Sequence, residues 1–448
     1  MTKQTDDAEM STQGLITALT RIVERTAHAP RERTTLGILL LQNDEVEEAE
    51  RHFTVALEQD PSWTDAHEGL GSVAIKRGDF ASARPHFLHV IELAPENLSA
   101  RFALYDIEQA LHNIPAALAH QSQILSRQQL FTIRAPHELR RMLILLAPGD
   151  WQANVPVDFL IDFGTTTVHK FYLVPGAAEQ PLPQADLVFC AIGESDASAP
   201  LLEHAQRIIA TLGVPVLNSP SAISRTSRTG IVDSLGGLNT TVVTSTIRCS
   251  RLLLRDTIAE RHDDLLIRPV DSHAGHGLER FEFSSDRSDR IQAYMERVPS
   301  ANYYVTPFID YRNADGFYRK YRMICVDGEP YPFHLAISPN WMIHYYNAPM
   351  REHLWMREEE QRFLADSPGA MGTTAHTALR EIAARSGLEY VGIDCSVLPD
   401  GRLLVFEVDP AMIVHHLGSG GIFAYHIPYA RAIYSAFEHL MDRLRARP

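Results

Sequence analysis

The first part of the chain carries hydrophobic residues at helical spacing. Leu15, Ile16, Leu19, Ile22 and Val23 fall on one face of a 3.6-residue period. This spacing predicts an N-terminal helix within residues 1–30. The helical pattern continues from residue 31 to 135, where it becomes periodic on a longer scale.

A period of 34 residues runs through this region, and small, aromatic and proline positions all follow it. The markers are Ala49, Ala83 and Ala117, Phe53 and Phe87, and Pro61 and Pro95. Small residues let two helices approach closely, and a proline ends the second helix of each pair. The pattern resembles the tetratricopeptide repeat family, which implies an α-helical solenoid that binds a peptide or protein. A plain helical bundle, or an extension used only for dimerisation or rigidity, is the alternative.

Residues 150–220 change to short apolar runs separated by polar or glycine-containing loops. The segments "VDFLIDF", "ADLVFCAIG" and "VPVLNSP" predict buried strands, and "APLLEHAQRIIATLG" predicts a helix. Strand, strand, helix, strand indicates a small α/β domain with a mostly parallel sheet. No G-x-G-x-x-G follows these strands, so the pattern gives little support to dinucleotide binding.

Residues 221–448 mix strands and helices, which predicts an α+β domain with a C-terminal helix. Two strand pairs have turn dipeptides at Asp327-Gly328 and Asp400-Gly401. Strand alternation along 318–338 puts Lys320 on one face with Arg322 and places Arg319 and His334 on the other face, unless a bulge intervenes. The last helix carries an apolar stripe made of Ile433, Phe437, Leu440 and Leu444.

The hairpin at 390–410 contains three carboxylates among apolar residues. A two-residue turn centred between Asp400 and Gly401 places Asp394 opposite Glu407, and Glu407 shares a face with Asp409. Facing like charges destabilise a sheet and burial adds to the cost, so these three residues are candidate ligands of a divalent cation such as Mg²⁺. The alternative is that the acids face solvent, and a one-residue shift in register would move Asp394 to the other face.

Composition and charge exclude several classes of protein. Hydrophobic residues make up 45% and charged residues 22% of the 448 residues, which is typical of a globular protein. The net charge of −15 argues against general nucleic-acid binding, and no run of about 20 apolar residues predicts a membrane span. The first residues lack the apolar core of a secretory signal. The scattered cysteines favour reduced thiols in the cytoplasm over disulfides or zinc ligands; they are Cys190, Cys249, Cys325 and Cys395.

The segment "GIDCSVLPDGRLLVFEVDP" resembles the metal-binding hairpin of ATP-grasp enzymes, in which an aspartate strand is followed by E-x-N. Asp409 stands where that family usually has asparagine. The segment "LLIRPVDSHAGHGLER" is similar to the family's strand and flexible phosphate-covering loop, with Arg268 in place of the usual lysine. The resemblance spans roughly residues 150–430 and is closest to ribosomal-protein glutamate ligases and peptide-modifying ligases.

The resemblance implies roles for individual residues. Arg268, Arg322 and Lys320 would contact ATP phosphates, Phe308 and Ile309 would border adenine, and Asp394, Glu407 and Asp409 would hold Mg²⁺. The loop that would close over the phosphates contains His273, Gly275, His276 and Gly277. The polar and aromatic groups that suit a substrate or phosphate pocket are Trp341, His344, Tyr345 and Asn347. His415 and His416 follow the metal hairpin, and His416 is the candidate base.

The expected function is that of a carboxylate-amine ligase using ATP and Mg²⁺, with an acylphosphate intermediate, acting on a peptide or protein. Two alternatives stay open: a catalytically silent nucleotide-binding scaffold, and a small-molecule kinase on the same fold. A homodimer is the expected alternative to a monomer.

Overall fold

The structure is a computed structural model that describes residues 12–178, 180–270, 272, 275–345, 347–414 and 421–446. The chain divides between Gln128 and Gln129 into two compact units.

Seven helices form the described part of the first unit. They are α1 (Thr12–Arg25), α2 (Pro30–Gln42), α3 (Val46–Gln59), α4 (Thr64–Lys76), α5 (Phe80–Leu93), α6 (Leu98–Ala110) and α7 (Ile114–Leu125). From α2 onward the helices form three consecutive pairs, so the predicted repeat architecture is confirmed.

The 34-residue markers are the contacts that hold these pairs together. Ala49, Ala83 and Ala117 are fully buried. Phe53 is also fully buried, and it packs so closely on Gly69 that a Cβ atom there would lie 2.4 Å from the Phe53 ring. The period therefore records positions where helix backbones approach one another.

The second unit begins with a five-stranded sheet of order β1-β3-β2-β4-β5. Its strands are β1 (Leu130–Ile133), β2 (Arg140–Leu146), β3 (Thr166–Tyr172), β4 (Leu187–Cys190) and β5 (Val216–Leu217). Only the β1–β3 pair is antiparallel, and α8 (Ala199–Leu212) connects β4 to β5.

This sheet differs from the sequence prediction in two respects. It starts at Leu130, before the expected boundary at residue 150, because the runs "LFTI" and "RRMLILL" are its first strands. The segment "VDFLIDF" was predicted as a strand, but Val157–Phe159 forms a short 3-10 helix. Val157, Leu160 and Ile161 are nevertheless buried, so their apolar character reflects packing and not strand pairing.

A four-stranded antiparallel sheet of order β7-β10-β8-β9 follows. The elements of this region are α9 (Pro220–Ile223), α10 (Arg228–Leu235), β6 (Thr241–Val243), β7 (Ile247–Ser250), α11 (Leu254–Ala259), β8 (Leu265–Pro269), β9 (Glu279–Phe281), α12 (Arg287–Arg297) and β10 (Asn302–Pro307).

The third sheet also has five strands, in the order β12-β11-β13-β14-β6, with β6 parallel to β14. Its longer strands make it the largest sheet. The remaining elements are β11 (Tyr318–Val326), β12 (Glu329–Ser338), α13 (Leu354–Ala365), α14 (Ser367–Met371), α15 (Thr373–Ser386), β13 (Tyr390–Val397), β14 (Leu403–Asp409) and α16 (Ile427–Arg445). The predicted stripe of α16 is buried in the core of this unit.

The β11–β12 hairpin contains a β-bulge that changes which residues share a face. Its turn at Asp327 and Gly328 has positive φ at both positions, as predicted for a two-residue turn. The register then shifts so that Phe333 has no partner and Arg322 faces His334. His334 therefore lies on the face of Arg322 and Lys320, which corrects the prediction from simple alternation.

The β13–β14 hairpin contains a second bulge. Its turn is centred on Asp400, because Leu398 and Arg402 are the facing residues, so the predicted two-residue turn is wrong. The pairs near the turn are consequently offset by one residue, and the extra residue Phe406 restores the register. The predicted pairing of Asp394 with Glu407 is found, but the bulge produces it.

In the described part of the chain no helix is both long and apolar enough to cross a membrane.

Candidate active site

A cavity of about 440 Å³ is lined by residues from the four-stranded sheet, from the largest sheet and from loops of the first sheet. Predicted site residues from five separate segments meet there. Those that line it are Arg268, Gly275, Phe308, Ile309, Lys320, Arg322, Trp341, His344, Tyr345, Asp394, Glu407 and Asp409.

A row of four polar side chains crosses the cavity wall on four neighbouring strands. His334, Arg322, Asp394 and Glu407 are direct partners in sequence from β12 through β11 and β13 to β14. Neighbouring strands lie about 4.8 Å apart, so the row spans roughly 14 Å. The two bulges create this row. The bulge in the β11–β12 hairpin brings His334 into it, and the bulge in the β13–β14 hairpin brings Glu407 into it.

Asp394 forms the centre of an ion-pair cluster. Its carboxylate accepts hydrogen bonds from Arg322 Nε at 2.7 Å and Arg322 Nη2 at 2.9 Å, and Lys320 Nζ lies 2.6 Å away. Burial works to raise the pKa of Asp394, but Arg322 and Lys320 outweigh it and hold the pKa well below its ordinary value. Asp394 therefore stays ionised and fixes the two cations.

The predicted three-carboxylate metal site does not form among the described residues. In that part of the chain no group of three or more His, Cys, Asp and Glu side chains is placed to hold a metal ion. The contacts of Asp394 give the reason, since its oxygens are taken by two cations.

Glu407 and Asp409 form a distinct acidic pair at the end of β14. Arg228 Nη2 donates to Glu407 Oε1 at 2.8 Å and holds the pKa of Glu407 below its ordinary value against the effect of burial. Burial, followed by the charge of Glu407, raises the pKa of Asp409 to about 7. Asp409 Oδ1 accepts one hydrogen bond, from Ala411 N at 2.7 Å. The pair thus carries excess negative charge that a cation would relieve.

Arg268 is buried at the end of β8 and is held by the loop that follows it. Its Nε donates to Ser272 Oγ at 2.9 Å, and its Nη2 donates to the Ser272 carbonyl. Burial, together with the charge of Arg228, lowers the pKa of Arg268 to about 10. The guanidinium is therefore still cationic at neutral pH and faces the cavity without a carboxylate partner in the part of the chain that the structure describes.

The glycine loop approaches the cavity at one glycine only. Gly275 has φ +74° and passes so close to His344 that a Cβ atom would lie 2.3 Å from His344 Nε2. Gly277 instead packs on Pro269 and Val298, and neither Gly277 nor His276 lines the cavity. The third predicted loop residue, His273, lies outside the described residues.

Aromatic side chains form the wall at Phe308. The Arg280 guanidinium lies 3.9 Å from the centroid of the Phe308 ring, and Trp341 contacts the same ring edge-on at 5.6 Å. The Phe308 amide donates to the Asp264 carbonyl at 2.8 Å. This N–H is therefore engaged within the protein, and Phe308, Trp341 and Ile309 form an apolar part of the cavity wall.

Of the remaining predicted residues, Asn347 is described and does not line the cavity. Asn347 is exposed, and its Oδ1 accepts from His344 N at 2.8 Å, so it shapes the loop and does not contact the cavity. His416, with its neighbour His415, lies outside the described residues.

Comparisons with known proteins find distant similarity to solved structures. No protein-family model and no curated protein sequence matches the chain. The D-alanine–D-alanine ligase of Bacillus anthracis aligns over 68% of this chain and 97% of its own, at 10% identity and a TM-score of 0.44. A RimK domain ATP-grasp protein of Sphaerobacter thermophilus aligns over 67% and 98%, at 16% identity and 0.40. The tetratricopeptide repeat protein YrrB aligns over 24% and 56%, at 23% identity and 0.24.

Three residues that line the cavity or contact its lining residues belong to no sequence motif. Arg228 begins α10 and reaches Glu407 across 179 positions of sequence. Glu360 on α13 and His426 before α16 are buried polar residues in contact with each other. Glu360 stands in a run of charged residues on α13, so its burial leaves a weak sequence signal, and only the tertiary structure shows what it meets.

Proposed function

We propose that this chain is an ATP- and Mg²⁺-dependent ligase that activates a carboxylate as an acylphosphate for attack by an amine. The observation that carries the proposal is the cavity wall on which Arg268, Lys320 and Arg322 accompany the acidic pair Glu407 and Asp409. Cations beside a carboxylate pair are the arrangement that holds a polyphosphate and its metal.

The acidic pair fits a magnesium ion. Mg²⁺ commonly takes one or two carboxylates, with phosphate oxygens and water completing its shell. Glu407 and Asp409 supply two carboxylates, and burial together with their mutual repulsion raises the pKa of Asp409, a cost that a dication reduces. When bound, the ion would withdraw charge from the phosphates.

The chain's own residues orient and neutralise the reactants. Asp394 holds Arg322 and Lys320 at fixed positions, so their charge is in place before a nucleotide arrives. Arg268 adds a planar cation suited to two phosphate oxygens. The substrate carboxylate attacks the γ-phosphorus, ADP leaves, and the acylphosphate is then open to attack by an amine.

Calorimetric binding of ATP with Mg²⁺ tests the metal-nucleotide site. We expect Glu407→Gln to weaken Mg-ATP binding by about tenfold or more, because one of two metal-facing carboxylates is lost. Asp400→Asn is the matched control, since it removes one negative charge from the exposed turn of the same hairpin. Equal affinities in both variants would contradict the site.

Turnover is tested by phosphate release with ATP, Mg²⁺ and hydroxylamine over a pool of the twenty amino acids and their dipeptides. A carboxylate that is activated forms a hydroxamate and releases phosphate together. If the chain binds Mg-ATP but no member of the pool gives a hydroxamate, the proposed ligase activity on such carboxylates is wrong.

A nucleotide-binding scaffold is the second candidate. The observation that favours it is that Arg268 donates two hydrogen bonds to Ser272 of its own loop, which engages donors that a bound phosphate would otherwise use. Mg-ATP binding without ADP formation under the same pool of carboxylates would support it.

We further propose that the helical-repeat unit binds the peptide or protein that carries one of the reacting groups. The support is its repeat construction, in which three helix pairs stack through small residues and present a continuous face. Exposed apolar side chains on these helices provide contact area for a peptide; they include Ile38, Leu93, Leu111 and Leu118.

A further inference from the structure

A second polar cluster borders the cavity at the β12 end of the four-residue row. His334, at that end, packs its ring on Tyr345 with the centroids 4.7 Å apart, and Tyr345 in turn contacts His426 at 5.8 Å. All three line the cavity. The cluster is three strands from Glu407, or roughly 14 Å, so it is separate from the acidic pair.

The cluster is organised by one carboxylate. Glu360 is fully buried and accepts from Leu335 N at 3.0 Å, Tyr425 Oη at 2.5 Å and Tyr345 Oη at 3.2 Å. His426 Nε2 lies 3.1 Å from the same Glu360 oxygen that the tyrosines contact. Glu360 therefore has only donors around it, and these donors fix the position of its carboxyl group.

The contact with Glu360 determines how His426 presents its ring to the cavity. Tyr345 Oη donates its proton to Glu360, so its oxygen is the acceptor for His426 Nε2 at 3.4 Å. An imidazole protonated at Nε2 carries an unprotonated Nδ1, which accepts a proton. Among the described residues no hydrogen-bond partner meets His426 Nδ1. His426 is only 4% exposed, so this acceptor is sheltered at the cavity wall.

We propose that His426, oriented by Glu360, accepts the proton of the attacking amine. This inference rests on the proposed ligase function, because it names the residue that takes the proton of the amine in the same cavity. The Glu360 carboxyl group lies behind the imidazole, 3.1 Å from Nε2, and holds the ring in place while the proton is taken up.

The proton balance of the step is complete without a further reactant. The ammonium group gives one proton to His426 Nδ1, and the free amine nitrogen forms a bond to the acylphosphate carbonyl carbon. The carbon–oxygen bond to phosphate then breaks, and the phosphate leaves with the electron pair and the second nitrogen proton. The products are an amide, hydrogen phosphate and a protonated His426.

The neighbours of His426 are less suited to the task. Burial and the charge of Arg322 lower the pKa of His334 far below its ordinary value, so it is a weak base. Burial and Glu360 raise the pKa of Tyr345, which therefore stays protonated and donates to Glu360. Burial and Glu360 likewise raise the pKa of Tyr425, although the charge of Arg357 on α13 works to lower it. Tyr425 therefore also stays protonated and acts as a donor.

The test compares two nucleophiles with the same carboxylate. Hydroxylamine is unprotonated at neutral pH and needs no base, whereas an amino-acid amine must lose a proton first. The carboxylate is the one that forms a hydroxamate in the turnover experiment, and the twenty amino acids serve as amines. We expect His426→Asn to lower amide formation about 100-fold or more. Hydroxamate formation and Mg-ATP affinity should stay within a few fold, which also shows that the variant folds.

Two further variants distinguish the base from a structural role. His376→Asn is the matched control, because His376 is a buried histidine on α15 that does not line the cavity. In His426→Ala, added imidazole should restore part of the amide rate. Glu360→Gln should shift the acid limb of the pH–rate profile for amide formation while leaving the hydroxamate rate nearly unchanged.

Each outcome is decisive. No hydroxamate from the wild type contradicts the ligase proposal and this inference with it. Hydroxamate and amide both retained in His426→Asn would overturn the inference alone. Loss of amide in His416→Asn, with His426→Asn unaffected, would assign the base to the histidine outside the described residues.

Discussion

Two aspartates of the largest sheet balance their charge in opposite ways. Asp394 is surrounded by the cations Arg322 and Lys320, so its pKa lies well below the ordinary value. Burial, followed by the charge of Glu407, raises the pKa of Asp409 to about 7. The charges around each carboxylate, more than residue type, decide whether an aspartate anchors cations or awaits one.

Asp409→Asn should make the protein more stable without nucleotide, and only at higher pH. Because the pKa of Asp409 is about 7 in the folded state against 3.8 ordinarily, the folded state binds this proton more tightly than the unfolded state. The cost therefore grows as pH rises from about 4 to about 7 and is complete above that. We expect the melting temperature to rise by roughly 2–4 °C at pH 8, with little change at pH 4.

Thermal melts without metal or nucleotide measure this effect, with Asp400→Asn as control for the loss of one charge. A rise of the same size at both pH values, or in the control variant, would mean that Asp409 does not carry a raised pKa.

At the scale of elements, paired bulges build the site. Each of the two hairpins uses one extra phenylalanine, Phe333 or Phe406, to bring a polar side chain to the cavity face. The order and approximate limits of these strands follow from their alternation and their turn dipeptides. The bulges do not, because an extra residue changes no local propensity and is fixed by packing across the sheet.

Helix pairing in the repeat unit depends on glycines under the phenylalanine markers. Gly69→Ala should destabilise the chain by about 1–3 kcal/mol, because the new methyl group would lie 2.4 Å from the Phe53 ring. Denaturant unfolding measures the loss. The double variant Gly69→Ala with Phe53→Leu should lose less than the sum of its two single variants, since the smaller side chain makes room. Additive losses would mean that the two residues do not press on each other.

At the scale of the whole molecule, the two units divide binding from chemistry in the proposed function. Hydrogen exchange of the intact chain tests this division. The chain is measured with a dipeptide that supports phosphate release and with longer peptides that contain this dipeptide. We expect the longer peptides to slow amide exchange within residues 30–125. Protection confined to the residues around the cavity would contradict peptide binding by the repeats.

The sequence by itself determined most of the elements and their order, although it missed β1 and β2 and predicted Val157–Phe159 as a strand. Helical spacing, the 34-residue period and the strand alternation are local patterns, so they can be read from the chain without its tertiary contacts. They identified both units and the acidic hairpin, and the resemblance to ATP-grasp enzymes singled out Arg268, Lys320 and Arg322.

Only the tertiary structure decided which of these residues share a charge environment. It assigned Asp394 to two cations, moved His334 onto the cavity face and brought Arg228, Glu360 and His426 to the site from distant positions. The physical reason is that burial and pairing depend on atoms far apart in sequence, and small differences in register decide which oxygen meets which cation.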